Sequence, residues 1–298
     1  MDSGGSKTKL RLYDCSGGLI KEHTVQGFGL AEDSEAALSE AVAVLADFSV
    51  GYKIRTVICN LGGKNKRQIK ATLGAAFPNA EICVFRESEG VVGLELCKKY
   101  AAEVTLMAGT GAIAIARSGE KAVICGGWGV NISDNGSGYQ LGLDAVRLAL
   151  EEIDGAGELS LLTKTLTGLS EPPKPMAAEE YCEFRDSVRR KLAPFDRAHI
   201  ASFSKTVYAC AKRGDERAIE LYQKVGLELA KLVLAAARKA GRGLSSAVVN
   251  GGMVNAKEFW QESFEEKLKN EHKAVKIHYL TDGIDEVMCD MAKSIKSN

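Results

Sequence analysis

Residues 2–8, Asp-Ser-Gly-Gly-Ser-Lys-Thr, put a carboxylate, two glycines, three hydroxyls and an ammonium into one short stretch. Glycine lets a backbone approach a ligand closely and reach positive φ. Successive exposed N–H groups in such a bend form a concavity that binds anions. Gly4 and Gly5, the hydroxyls of Ser3, Ser6 and Thr8, and the charge of Lys7 therefore suit phosphate oxygens. Asp2 has the wrong charge for a phosphate unless a Mg²⁺ ion lies between them, held through its water shell. A second bend, Ala108-Gly109-Thr110-Gly111-Ala112, repeats the glycine–hydroxyl composition. Taken singly, the first reads equally well as a hairpin turn and the second more readily so, and neither fits the GxxxxGK[ST] pattern of a P-loop.

The elements that would position these bends follow from periodicity. Leu10–Tyr13 and Leu19–His23 read as strands joined at Ser16-Gly17-Gly18. Ser34–Asp47 repeats apolar residues every three or four positions and reads as a helix capped by Ser34. Thr56–Asn60 and Glu81–Phe85 read as buried strands, with helices at Lys66–Ala76 and Gly90–Tyr100. The pattern then restarts, with strands at Val104–Met107, Ile113–Arg117 and Ala122–Cys125. A glycine-dense stretch fills 126–142, and a helix is expected over Gly142–Asp154. Residues 158–240 read as almost wholly helical, broken at Glu171-Pro172-Pro173-Lys174-Pro175. A late strand, Ala247–Asn250, ends in Gly251-Gly252; a helix from about Ala256, a strand at Ile277–Leu280 and a last helix follow. Strands alternating with helices predict a mostly parallel α/β fold, and its layout occurs twice.

Composition narrows the partners. The chain has 298 residues, enough for about two domains, with 39 basic and 39 acidic side chains and net charge zero. That balance lacks the basic excess of a nucleic-acid binder. No apolar run reaches the ~18 residues that span a membrane, and no signal peptide is expected. The eight cysteines form no C-x-x-C pair and lie mostly in apolar runs, which predicts buried free thiols in a reducing cytoplasm. The four histidines show no ligand spacing, so a zinc site is not expected.

In order, the motifs resemble a known superfamily. Asp2–Thr8 resembles the first phosphate loop of the actin-like ATPases and sugar kinases, Ala108–Ala112 resembles the second, and Val248-Val249-Asn250-Gly251-Gly252 resembles the adenosine motif. Gly126-Gly127-Trp128-Gly129, then Asp134-Asn135-Gly136-Ser137-Gly138-Tyr139 and Gly142, is similar to the branch of N-acetylglucosamine kinases and BadF/BadG/BcrA/BcrD-type ATPases. The resemblance implies two ribonuclease-H-like domains, residues 1–102 and 103–298, the second with a helical insertion, closing on ATP and substrate in the cleft between them. Gly4, Gly5, Ser6, Lys7 and Thr8 would meet the phosphates from one side and Gly109, Thr110 and Gly111 from the other. Gly251 and Gly252 would leave room for adenine and ribose; Gly127, Trp128 and Asp134 would line the acceptor site. Within that role Trp128 reads as packing between loop and domain, and Asp134 either binds a sugar hydroxyl or holds its loop.

Departures from the pattern matter as much. Relatives carry a catalytic Asp after the last strand of the first domain; here the stretch is Phe85-Arg86-Glu87-Ser88-Glu89, so Glu87 is the expected base, with Glu89 second. The Thr-Asn pair that reads amino-sugar hydroxyls is replaced by Gly27-Phe28-Gly29-Leu30-Ala31. Electron-transfer activators of the branch bind an iron–sulfur cluster through a cysteine just before Gly-Thr-Gly, where this chain has Leu106-Met107-Ala108. The expected activity is γ-phosphoryl transfer from ATP, with Mg²⁺ positioned by Asp2, to a small molecule, a sugar or amino sugar. The alternative is a nucleotide-binding ATPase or sensor with little kinase activity. No nucleic-acid or membrane partner is expected, and a homodimer is left open.

Overall fold

A computed structural model describes residues 1–3, 7–28, 35–61, 65–86, 89–119, 121–129 and 132–295. The first sheet contains β1 (Asp2–Ser3), β2 (Lys7–Tyr13), β3 (Leu19–Gln26), β4 (Thr56–Leu61) and β5 (Glu81–Arg86), in the order β3-β2-β1-β4-β5. The second contains β6 (Val104–Ala108), β7 (Ala112–Ser118), β8 (Lys121–Gly126), β9 (Ser246–Asn250) and β10 (Lys276–Leu280), in the order β8-β7-β6-β9-β10. The orders match strand for strand. In each sheet the first three strands pair antiparallel, and the fourth and fifth run parallel to the first. This is the ribonuclease-H-like topology built twice, as the resemblance implied.

Helices α1 (Glu35–Phe48) and α2 (Lys66–Ala76) cover one face of the first sheet, where Leu38, Val42, Ile69 and Leu73 bury against Val57, Cys59 and Val84. Ser34, expected to cap α1, lies outside the described residues. Helix α3 (Val91–Lys99) follows Gly90, whose φ of 67° reverses the chain without steric cost. Val92 and Leu96 of α3 pack on Met107, Ile113 and Ile115 of the second sheet, together with Val287 of the last helix, α10 (Gly283–Ser294). The opposite face of that sheet carries α4 (Gly138–Ile153), α5 (Leu161–Thr167), α6 (Ala178–Leu192), α7 (Arg197–Lys212) and α8 (Glu216–Lys239) in the largest core. A 3₁₀ stretch, Gly252–Phe259, replaces the helix expected from Ala256, and α9 (Gln261–Lys269) follows it. No helix among the described residues is long and apolar enough to cross a membrane. All eight cysteines are free; Cys59, Cys97, Cys210 and Cys289 are buried and Cys83 and Cys125 partly so, while Cys15 and Cys182 are exposed, so the expected burial holds for most of them but not for these two.

Helix α4 begins at Gly138, four residues before the expected start at Gly142. The glycines there serve close approach rather than a loop. Ser137 caps the helix by accepting from the Gln140 N–H at 3.1 Å, and a Cβ at Gly142 would overlap the carbonyl oxygen of Ile200 in α7. Gly142→Ala is therefore expected to cost about 3 kcal/mol or more, read as a lowered denaturant midpoint with unchanged slope.

Candidate functional site

Asp2 stands opposite Lys9 on β2 and Asn60 on β4, so the three side chains share one face of the first sheet. Asn60 Nδ2 donates to the Asp2 carboxylate at 2.9 Å, while Asn60 Oδ1 is buried without a hydrogen-bond partner. Burial pushes the Asp2 carboxyl above the usual carboxylate range; the Asn60 bond opposes this and nearby Asp285 adds to it. A half-buried carboxylate beside an orphaned amide oxygen is an all-oxygen donor set, which fits a hard divalent cation with waters and phosphate completing its shell. Among the described residues no group of three or more His, Cys, Asp or Glu could cage a metal unaided. Gly4, Gly5, Ser6 and Glu87 lie outside the described residues. Lys7 is exposed; the Thr8 hydroxyl is buried and shares a 2.8 Å hydrogen bond with that of Ser3.

The second bend is braced from three directions. The Gly109 N–H donates to the Gly111 carbonyl at 2.9 Å, and the first N–H groups of α4, from Gly138 and Tyr139, donate to the carbonyls of Gly109 and Thr110 at 2.8 and 3.2 Å. The Gly127 N–H donates to the Ala112 carbonyl at 2.9 Å. Asp134 is buried and accepts from the backbone N–H groups of Ala112 and Gly129, so its bonds hold the loop. Burial raises its carboxyl above the usual range despite Arg197, whose Nη2 lies 3.7 Å from Oδ2. That oxygen has no hydrogen bond. Trp128 is 71% exposed, so the expected packing against the domain is not observed.

The paired glycines after β9 seat directly on this bend. Gly251 has φ of +122°, and a Cβ there would overlap the Ala108 carbonyl oxygen. Its N–H donates to Leu280 at 3.1 Å, and Asn250 Oδ1 accepts from the Gly283 N–H at 2.9 Å, which fixes the start of α10. From α10, Asp285 reaches Lys9 Nζ at 3.1 Å and Arg11 Nη1 at 2.9 Å, while Asp282 meets Lys9 at 2.5 Å. A continuous series of contacts thus runs from the second bend through Gly251, Asn250 and α10 to β2, the strand that follows the first. Beside this brace, Gly109 and Gly252 are open among the described residues: a Cβ on either would meet none of their atoms within 4 Å.

Glu89 is already committed. It pairs with Lys66 at 2.9 Å and with Arg86 Nε at 3.2 Å, and it accepts from the Arg86 N–H. Burial alone would raise its carboxyl, but these bonds outweigh it and hold the group below the usual range. Periodicity did not single out Asn60, Asp285 or Arg197. Asn60 carried a faint signal, as a polar residue ending an apolar strand; the other two come from distant helices. Arg197 Nε is buried without a partner, as is Nε2 of nearby His199. Arg197→Ala is expected to weaken nucleotide binding about tenfold, because a charged group next to the bend is lost. A calorimetric titration checks this; unchanged affinity would make Arg197 a surface residue.

Two sheets of identical strand order, each with a glycine-rich stretch of sequence between its first two strands, define the two-domain actin-like ATPase fold. Residues 1–285 match the BadF/BadG/BcrA/BcrD ATPase family, and the chain belongs to that family. It is 27% identical over 177 residues to an N-acetylmuramic acid/N-acetylglucosamine kinase of Clostridium acetobutylicum, over 58% of this chain and 55% of that protein's length. The fold is similar to that of a candidate N-acetylglucosamine kinase from Porphyromonas gingivalis (TM-score 0.71, 18% identity, 98% of this chain and 97% of that one). It is also similar to a glucokinase from Streptomyces griseus in complex with glucose and AMPPNP (TM-score 0.62, 14% identity, 98% of each chain).

Proposed function

We propose that this protein is an ATP-dependent sugar kinase, transferring the γ-phosphoryl group to a hydroxyl of a hexose or amino sugar. The observation that carries the reading is the braced second bend, with Gly109 and Gly252 open beside it and rigid contacts leading to the strand after Asp2. The N–H groups and hydroxyls of the two bends would bind phosphate oxygens, and Gly251 and Gly252 would let the nucleoside lie against backbone. Asp2 and Asn60 would hold Mg²⁺, which supplies charge neutralisation at the β- and γ-phosphates when bound. Glu87 would orient or deprotonate the acceptor hydroxyl, and closure of the domains would exclude water. Gly127 and Trp128 would border the acceptor, with Asp134 holding the loop that carries them. The named Clostridium relative makes an amino sugar the first acceptor to try.

A second reading, a nucleotide-binding ATPase or sensor, is favoured by the hydrogen bonds that already engage Asp134 and the ion pairs that engage Glu89. ADP release measured with MgATP across a panel of hexoses and amino sugars separates the two. The kinase reading expects release that depends on one sugar and matches its phosphorylated product. Release that no sugar changes supports the second reading and rejects the first.

A further inference from the structure

Two opposite charges meet at the second bend without forming a full hydrogen bond. A Cβ built on Gly111 would stand 3.1 Å from Arg197 Nη2 and 3.4 and 3.5 Å from the two Asp134 carboxylate oxygens, so both groups converge on the last glycine of the bend. Arg197 Nη2 lies 3.7 Å from Asp134 Oδ2, whereas a bonded guanidinium–carboxylate pair closes to about 2.7–2.9 Å. Asp134 Oδ2 and Arg197 Nε are each buried without a hydrogen-bond partner. The pair is poorly bonded for its burial, which leaves it open to exchange.

The two partners differ in freedom. Asp134 is 3% exposed and sits in the turn that leads into α4, where the Ser137 N–H donates to its carbonyl at 3.0 Å. Arg197 is the first residue of α7, and the backbone there is pinned. Ile200, one turn on, seats its carbonyl oxygen so close to Gly142 of α4 that a Cβ would overlap it. The Arg197 side chain is 37% exposed, so its tip can turn while its root cannot. Charge and shape set what it turns toward. A guanidinium fork matches phosphate oxygens two at a time, and the position assigned to phosphate, beside Gly109, is two residues from Gly111.

We propose that Arg197 is an exchangeable cation: it rests against Asp134 in the free protein and turns to the phosphates when nucleotide fills the second bend, so that Asp134 competes with the ligand for it. This rests on the reading of the bend as a phosphate site. The buried carboxylate then sets nucleotide affinity from behind the bend, by how strongly it holds the guanidinium back. A fully bonded pair would not release the arginine, and a distant one would not hold it in place.

The test is a double-mutant cycle, read by calorimetric titration of Mg²⁺ and a nonhydrolysable ATP analogue into the full chain. Asp134→Asn keeps the shape and a carbonyl oxygen but no longer holds the guanidinium by charge; it is expected to bind the analogue about fivefold tighter than the wild type. Arg197→Ala is expected to bind it about tenfold more weakly. The double variant decides. Exchange predicts that the gain from Asp134→Asn shrinks to within about twofold of nothing once Arg197 is absent. A gain of the same size or larger in the Arg197→Ala background would mean that Asp134 only repels the phosphates, and would overturn the proposal. A second measurement does not depend on how well the Asp134 variants fold. Arg197→Ala should lose affinity for the analogue and keep that for adenosine; equal losses for both would also overturn the proposal. A wild type that binds no analogue would reject the phosphate reading, and the proposal with it.

Discussion

Asp2→Asn is expected to lower turnover on the order of 10³-fold and, in the same protein without ligand, to raise the melting temperature at neutral pH. Both effects come from one half-buried carboxylate. Asparagine keeps the shape and a carbonyl oxygen for the neighbouring amide, but it removes the charge that would hold Mg²⁺ against the phosphates. Burial has raised the Asp2 carboxyl in the folded chain, with Asp285 contributing the same way. The folded state therefore holds its proton more tightly than the unfolded state does. That contribution to stability is fully present below the unfolded carboxyl's pKa and is lost as pH rises through the higher folded value. As pH rises above the unfolded value the wild type carries a growing cost, which the neutral amide avoids. Thermal melts of both proteins across pH 4–8 check the sign: the variant's advantage should widen with pH. A variant with wild-type turnover would remove Asp2 from the mechanism.

Gly251→Ala is expected to abolish measurable nucleotide binding and to destabilise the fold by several kcal/mol, on the order of 3 kcal/mol. Its φ of +122° strains any residue with a Cβ, and the added carbon would overlap the Ala108 carbonyl oxygen. Relief would have to move either β6 or the end of β9, and so displace the second bend or the Asn250 contact that fixes α10. Gly252→Ala is the paired control, because a Cβ there meets open space. Denaturant unfolding of the two should diverge. Equal stability would mean that Gly251 does not seat on the bend as described.

Much of this was legible in the sequence because several glycine-rich motifs stand in a recognisable order, although each alone reads as a turn. The misplaced start of α4 shows the limit. Gly138 and Gly142 read as loop composition, yet they are glycines so that neighbours can approach, which only the packing of α7 on α4 reveals. Asp134 was readable as a sugar ligand or a loop brace, and spacing cannot decide between them; its nearness to the backbone of Ala112 and Gly129 and to Arg197 appears only in the fold. Asp285 was invisible for a different reason. It lies 283 positions from Asp2 in the sequence, and only α10, passing between the two sheets, brings it close. Arg197, from the helical insertion, reaches Asp134 in the same way.

The central claim is that the two bends jointly hold a triphosphate, and Gly109 offers its cleanest test. A Cβ there meets no atom of the described residues within 4 Å, so Gly109→Val is expected to fold with a melting temperature close to that of the wild type. The same isopropyl group would occupy the space assigned to phosphate. Calorimetric titration of Mg²⁺ and a nonhydrolysable ATP analogue into this variant is predicted to show at least ~100-fold weaker binding than the wild type, equivalent to about 2.7 kcal/mol. Binding of wild-type strength in a normally folded Gly109→Val protein would place the nucleotide elsewhere and contradict the account.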